Sequence, residues 1–271
     1  MRVRVAAMAL SLYCTVVASL DAQSPPSIHV DCGVESLQEA IDAASPEATL
    51  VVLGACGPIE LRKSLTLVGV GTASISSKRS DTRPVVSVFA GRIALSRITI
   101  VGGQSGVRVW DGGSLRATDV HVRRSLREGV RIDGVATISR STIEGHGWEG
   151  IVLTGRGPVT IEDTTVRNNS GDGIFTESRD VLIRRSHVTG NAGDGLNKAG
   201  PGLLSVQQSS FTFNENSGMD VGQSDIVDDA TTVYVTNSTF AFNQTGFAVR
   251  ILEDLRHDVR LTHATVVRNV A

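Results

Sequence analysis

Apolar residues do not cluster in long runs in this chain. They recur in a short template, φ-x-φ-x-x-(S/T)-x-φ, where φ is apolar. The template runs Ala136, Ile138, Ser141, Ile143; then Val159, Ile161, Thr164, Val166; then Val181, Ile183, Ser186, Val188. It continues as Leu204, Val206, Ser209, Phe211, then Val233, Val235, Ser238, Phe240, and then Val259, Leu261, Ala264, Val266, with weaker copies from Ile93 and Leu115. Starts at positions 93, 115, 136, 159, 181, 204, 233 and 259 are separated by 22, 21, 23, 22, 23, 29 and 26 residues. A second column keeps the same period: Gly106, Gly129, Gly150, Gly173, Gly195, Gly218 and Gly246 each precede an apolar residue. Two independent columns on one period are the signature of a repeat architecture.

Alternation within each copy predicts short strands with one buried face. A single copy cannot enclose its own apolar face, so successive copies must stack, like residue on like, about 4.8 Å apart. No amphipathic helix separates the copies, so bends join the strands, and the column glycines suit bends needing positive φ or tight backbone passage. A polar column four residues before most of those glycines, His146, Asn169, Asn191 and Asn214, with Asn243 one place closer, predicts a ladder of side chains bonding from coil to coil. The expected fold is all-β: a parallel β-helix solenoid of about nine coils.

The start of the chain breaks this pattern. Ser36, followed three residues later by Glu39, with Leu37, Ala40, Ile41 and Ala44 on one face, reads as a capping box opening a short amphipathic helix over 36–44. Such a helix can lid the apolar end of a solenoid. The expected organisation is a leader over 1–22, an N-terminal cap over 28–58 and the β-helix over 59–271.

Residues 1–22 carry Arg2 and Arg4 before an apolar run from Val5 to Val17, which is a secretory-signal pattern too short to span a bilayer. Bulky Tyr13 before Cys14 argues against a lipid-anchor box. Beyond the leader remain Cys32 and Cys56; an even pair in an exported protein favours one disulfide, with two buried thiols as the alternative. The chain is nearly charge-balanced, 26 basic against 28 acidic residues. It lacks a basic run interleaved with aromatics, which argues against a nucleic-acid partner.

With its cap, its Thr49–Val52 and Lys63–Gly69 entry segments and its Asn169-to-Gly173 and Asn191-to-Gly195 bends, the sequence resembles the pectin-lyase-like superfamily of right-handed parallel β-helices. That resemblance implies an extracellular or periplasmic protein with a polysaccharide or cell-surface glycan as partner. Polysaccharide lyases, glycoside hydrolases and uronate epimerases are among the activities it brings into view. The string Gly145-His146-Gly147 is similar to a polygalacturonase motif. The paired Asp segment that should precede it is missing, however, and Asp228-Asp229 lies well after it, so His146 reads as a bend residue.

Three residue sets could carry chemistry. Glu128, Glu149, Asp172 and Asp194 precede column glycines in four successive coils, so stacking would bring carboxylates close enough to act as acid and base or to raise one another's pKa. Turn chemistry alone also explains Asp-Gly and Glu-Gly. Two enlarged bends, after Gly218 and after Gly246, carry Asp225, Asp228, Asp229, Glu253 and Asp254, oxygen ligands suited to Ca²⁺. Arg108, Arg131, Lys198 and His257 could meet the carboxylates of an acidic glycan, although ordinary surface charge explains such scattered cations better. Two functions remain open at this stage: a secreted β-helix that binds, and cleaves or modifies, acidic polysaccharide, or a non-catalytic surface, structural or adhesive protein.

Overall fold

The period read from the sequence becomes a physical pitch in the computed structural model, which describes residues 27–178, 180–222, 230–249 and 257–270. Every strand pair is parallel, and the template positions stack in register. Ala136 lies beside Val159, which is followed by Val181, Leu204, Val233 and Val259. Ile143 heads a second row through Val166, Val188, Phe211, Phe240 and Val266. Through Phe240 the second row is buried, as are the first row's members through Val233, so the two rows form walls of one continuous core. The molecule is a parallel β-helix of about ten turns. Among the described residues, its strands group into a nineteen-stranded sheet that folds around two sides and a nine-stranded sheet that closes the third.

The bends explain themselves residue by residue. Before the Ser/Thr column, one residue per coil takes the left-handed conformation: Arg97, Asp119, Arg140, Asp163, Arg185, Gln208, Asn237 and His263. That single residue turns the chain between the two sides of the long sheet. The hydroxyl after it accepts the N–H of the preceding coil, Thr164 N to Ser186 Oγ at 3.2 Å and Ser186 N to Ser209 Oγ at 3.1 Å. Each such hydroxyl donates in turn to a carbonyl two residues back, as Ser186 Oγ does to Arg184 at 2.9 Å. Buried backbone groups at the corner are thus satisfied without a longer loop.

At the next corner the carboxamides form the expected ladder. Asn169 Nδ2 donates to Asn191 Oδ1 at 2.8 Å, Asn191 to Asn214 at 2.9 Å, Asn214 to Asn243 at 3.0 Å and Asn243 to Asn269 at 3.2 Å. The ladder therefore runs one rung further than the sequence column. The column glycines beside it are required by close approach, not by positive φ. A Cβ on Gly150 would lie 2.7 Å from the carbonyl oxygen of Gly173 and 2.5 Å from Val166.

The N-terminal helix spans Leu37–Ala43, with the Ser36 hydroxyl accepting the Glu39 N–H and with Leu37 and Ile41 buried. The strand Ser27–Asp31 pairs with Thr49–Leu53. Cys32 and Cys56 are joined by a disulfide that closes the segment containing the helix. Among the described residues, no helix is long and apolar enough to cross a membrane. The leader expected over 1–22 lies outside the described residues.

Candidate functional site

The nine-stranded sheet consists of three- to five-residue strands; in the three-residue strands the ends point inward and the middle residue lies on the outer side. Register places the outward residues in one row: Arg108, Arg131, Val152, Phe175, Asn197 and Asp220. The carboxylates preceding the column glycines border that row in successive coils. Their backbones are linked from coil to coil, Gly129 N to Glu149 O at 3.0 Å, Gly150 N to Asp172 O at 2.9 Å and Gly173 N to Asp194 O at 2.8 Å. Two of the sets read from the sequence therefore share a face: Glu128, Glu149, Asp172 and Asp194 with Arg108 and Arg131.

Glu128 is almost fully buried between two arginines, with its oxygens 3.6 Å from Arg127 and 3.9 Å from Arg131. Neither contact is a hydrogen bond, and Glu128 Oε2 and Arg131 Nε have no hydrogen-bond partner. Arg131 also lies 3.7 Å from Asp133, which is held by Arg108 at 2.8 Å and by the Thr154 hydroxyl. A hollow of about 300 Å³ opens here, lined by Glu128, Arg131, Trp148, Glu149, Phe175 and Glu177 among others. Arg127 lies over the Trp148 ring at 3.8 Å, and Arg108 over Trp110 at 3.9 Å, with Phe89 stacked beyond it. Trp110 and Trp148 are 36% and 48% exposed.

Asp172 and Asp194 are tied more closely to the backbone. Asp172 Oδ1 accepts the Asp194 N–H at 2.7 Å and its other oxygen accepts from Asn197 at 3.1 Å, while Asp194 Oδ1 accepts the Ser217 N–H at 2.7 Å. Burial pushes the Asp172 carboxyl up to about 6, and the charges of Asp194 and Glu149 push the same way against those two hydrogen bonds. A carboxyl with that pKa holds both protonation states near neutral pH.

The remaining sequence candidates divide. Lys198 is not on the outer face. It is fully buried, and its ammonium donates to the carbonyls of Ser178 at 2.7 Å and Pro201 at 2.9 Å, which corrects the expectation of a surface cation. Lys198 ends its strand, where the register sends side chains into the core, and burial pulls its pKa down to about 8. His257 begins a strand paired with Thr231 on the nineteen-stranded sheet, away from Arg108 and Arg131. Asp225, Asp228, Asp229, Glu253 and Asp254, the proposed Ca²⁺ ligands, lie outside the described residues. Among the described residues, no group of three His, Cys, Asp or Glu side chains is arranged to hold a metal ion.

Sequence reasoning missed Trp110, Trp148, Phe175 and Asp133. A signal for the first two was available: the chain has only two tryptophans, and both fall beside this sheet.

Comparison with known proteins agrees with the β-helix fold. The family described as "Right handed beta helix region" matches residues 128–271. A comparison with curated proteins finds no match. Among solved structures, the chain is similar to the A-module of the Azotobacter vinelandii mannuronan C-5 epimerase AlgE4, at 17% identity over 84% of this chain and 71% of that one, with a TM-score of 0.69. It is also similar to pectate lyase Pel9A, at 17% identity over 90% and 78% of the two chains and a TM-score of 0.69. A pectin methylesterase from Aspergillus niger shares the fold at 13% identity over 92% and 88%, with a TM-score of 0.53. Likeness at such identities is likeness of fold.

Proposed function

The chain belongs to the right-handed β-helix family, and from that premise we propose that it is an exported protein whose nine-stranded face binds an acidic polysaccharide and modifies it. The observation that carries this reading is the hollow where Glu128, Glu149 and Arg131 converge beside Trp148 and Phe175. Glu128 Oε2 and Arg131 Nε are buried at its wall and are held only by longer ion pairs, 3.6 Å to Arg127 and 3.7 Å to Asp133, which fix the arginines beside the hollow. Three of the similar structures are named for mannuronan, pectate and pectin, which supports the ligand class.

In this reading Arg131 meets a carboxylate of the sugar, as a guanidinium does best. The aromatic rings carry its apolar face. Glu149, half-buried at the hollow, exchanges a proton with the ring carbon next to that carboxylate. Asp172, one coil along with a pKa of about 6, holds the second proton position. Elimination and C5 inversion both begin with this abstraction.

A binding-only role has one observation in its favour: Asp172 and Asp194 each commit an oxygen to a backbone N–H of the next coil, so part of the carboxylate column is structural.

The test is incubation with oligogalacturonate and oligomannuronate, followed by proton NMR for unsaturated ends, new reducing ends and C5 inversion. Wild-type protein is expected to yield one of these, Glu149→Gln to lose at least about 100-fold in rate, and Arg131→Ala to bind more weakly. Binding without product by the wild type would leave the binding-only role standing. Absence of binding would overturn the reading.

A further inference from the structure

A second aromatic feature lies on the corner that leads into the nine-stranded sheet. One residue per coil takes the left-handed conformation at this bend: Arg124, Gly145, Asn168, Gly190, Phe213, Phe242 and Arg268, with φ between 53° and 69°. Glycine and asparagine suit that conformation; phenylalanine does not, and each such residue costs on the order of 1–2 kcal/mol. Burial does not offset the cost, because Phe213 is 58% and Phe242 40% exposed. The two rings are nearly parallel, 2° apart in plane with centroids at 4.7 Å.

The stack is finished on one side and open on the other. Arg268 lies over Phe242 at 5.5 Å. Below Phe213 the rung belongs to Gly190, which has no side chain, and among the described residues no ring or guanidinium covers that face of Phe213. The space left by one missing side chain is one strand spacing, about 4.8 Å. Asn168 leans into the backbone edge of that space, its Oδ1 2.9 Å from where a Gly190 Cβ would stand, and its side chain is exposed.

We propose that Phe213, open over the Gly190 rung with Asn168 beside it, is a stacking platform for a pyranose ring of the bound glycan, outside the nine-stranded face. The inference takes its ligand class from the function proposed above. Position supports it, since Phe213 stands four residues before Ser217, where the strand Ser217–Val221 of that face begins. Size supports it too. Two ring edges fall far short of the roughly 800 Å² per partner of a stable protein interface. One ring face with a neighbouring carboxamide instead matches a single sugar, whose C–H face stacks while a hydroxyl is hydrogen-bonded.

The test uses the full chain and isothermal titration calorimetry with oligogalacturonate and oligomannuronate, alongside thermal melting and sedimentation. Phe213→Asn, a residue at ease in the left-handed bend, is expected to bind about tenfold more weakly with a melting temperature no lower than that of the wild type. Phe213→Tyr, which keeps the ring, should bind like the wild type. Arg131→Ala should weaken binding independently. Undiminished affinity in Phe213→Asn, together with loss in Arg131→Ala, would overturn the platform alone. A change in sedimentation without a change in glycan affinity would also overturn it, making the ring pair a contact between copies of the chain. No binding by the wild type to either oligomer would overturn platform and function together.

Discussion

His146 shows how closely a single side chain is matched to its rung. Its Nδ1 accepts the Ser125 N–H at 3.2 Å and its Nε2 faces the Val122 carbonyl at 3.2 Å, so the neutral ring carries its proton on Nε2. Asn191 performs the same two tasks two coils further, its Oδ1 accepting the Asn169 N–H and its Nδ2 donating to the Val166 carbonyl. Burial holds the His146 pKa at about 4, below its usual 6.5. The unfolded chain therefore binds a proton more readily than the folded one between those values, and stability falls as pH drops from about 6.5 to 4. Replacing His146 with Asn should keep the rung and remove that part of the acid sensitivity. Urea unfolding midpoints of both proteins at pH 7 and pH 4.5 check this: the wild type is expected to lose more between the two pH values. Asp172 works in the opposite sense, since a raised folded pKa makes stability fall as pH rises from about 4 to 6. His146 was legible as a bend residue because it shares a column with Asn169. The inward turn of Lys198 was not, because a lysine at a strand end fits either face until the register is known. The tryptophans escaped because they fall off the repeating columns, and periodicity says nothing about residues that do not repeat.

At the scale of the strand, what matters is which face each residue takes. Ile161 and Ile183 are fully buried neighbours in one row. Ile161→Asp is expected to destabilise the fold by about 4 kcal/mol or more, through an uncompensated carboxylate in the core, while Ile161→Val should cost about 1 kcal/mol. Melting curves of the two variants check both, and equal losses would show that the row does not face inward. These strands were legible because alternation and stacking impose the same positions in every copy. The bend conformations were harder to read. The left-handed corner is filled by Arg97, Asp119, Arg140, Asp163 and Arg185; of these only the aspartates are turn residues, and the arginines stand in place of the glycine or asparagine that usually marks positive φ. Their alternating charges pair along the corner, Arg140 with Asp119 at 2.9 and 3.0 Å and Arg185 with Asp163 at 2.8 and 3.1 Å. Being exposed, these pairs are screened by solvent and contribute little to stability.

At the scale of the whole molecule, coils touch only their neighbours, so the first coil lacks support from one side and relies on its staple. The bond between Cys32 and Cys56, 24 residues apart, encloses the helix whose Leu37 and Ile41 cover the core. Replacing both cysteines with serine should lower stability by about 3 kcal/mol, read as a shifted urea midpoint. Protease cleavage should then begin near 37–43. The carboxamide ladder has a further consequence at this scale. Every amide from Asn169 to Asn243 presents its oxygen toward the helix-capped end and donates from its nitrogen to the next amide, while Asn191, Asn214 and Asn243 also donate back to a carbonyl of the coil before. Backbone dipoles largely cancel between strands, but these side chains add head to tail in a dry interior, each polarising the next. The solenoid thereby acquires an axial electric field, negative toward its cap, so a charged chain lying lengthwise meets two inequivalent directions.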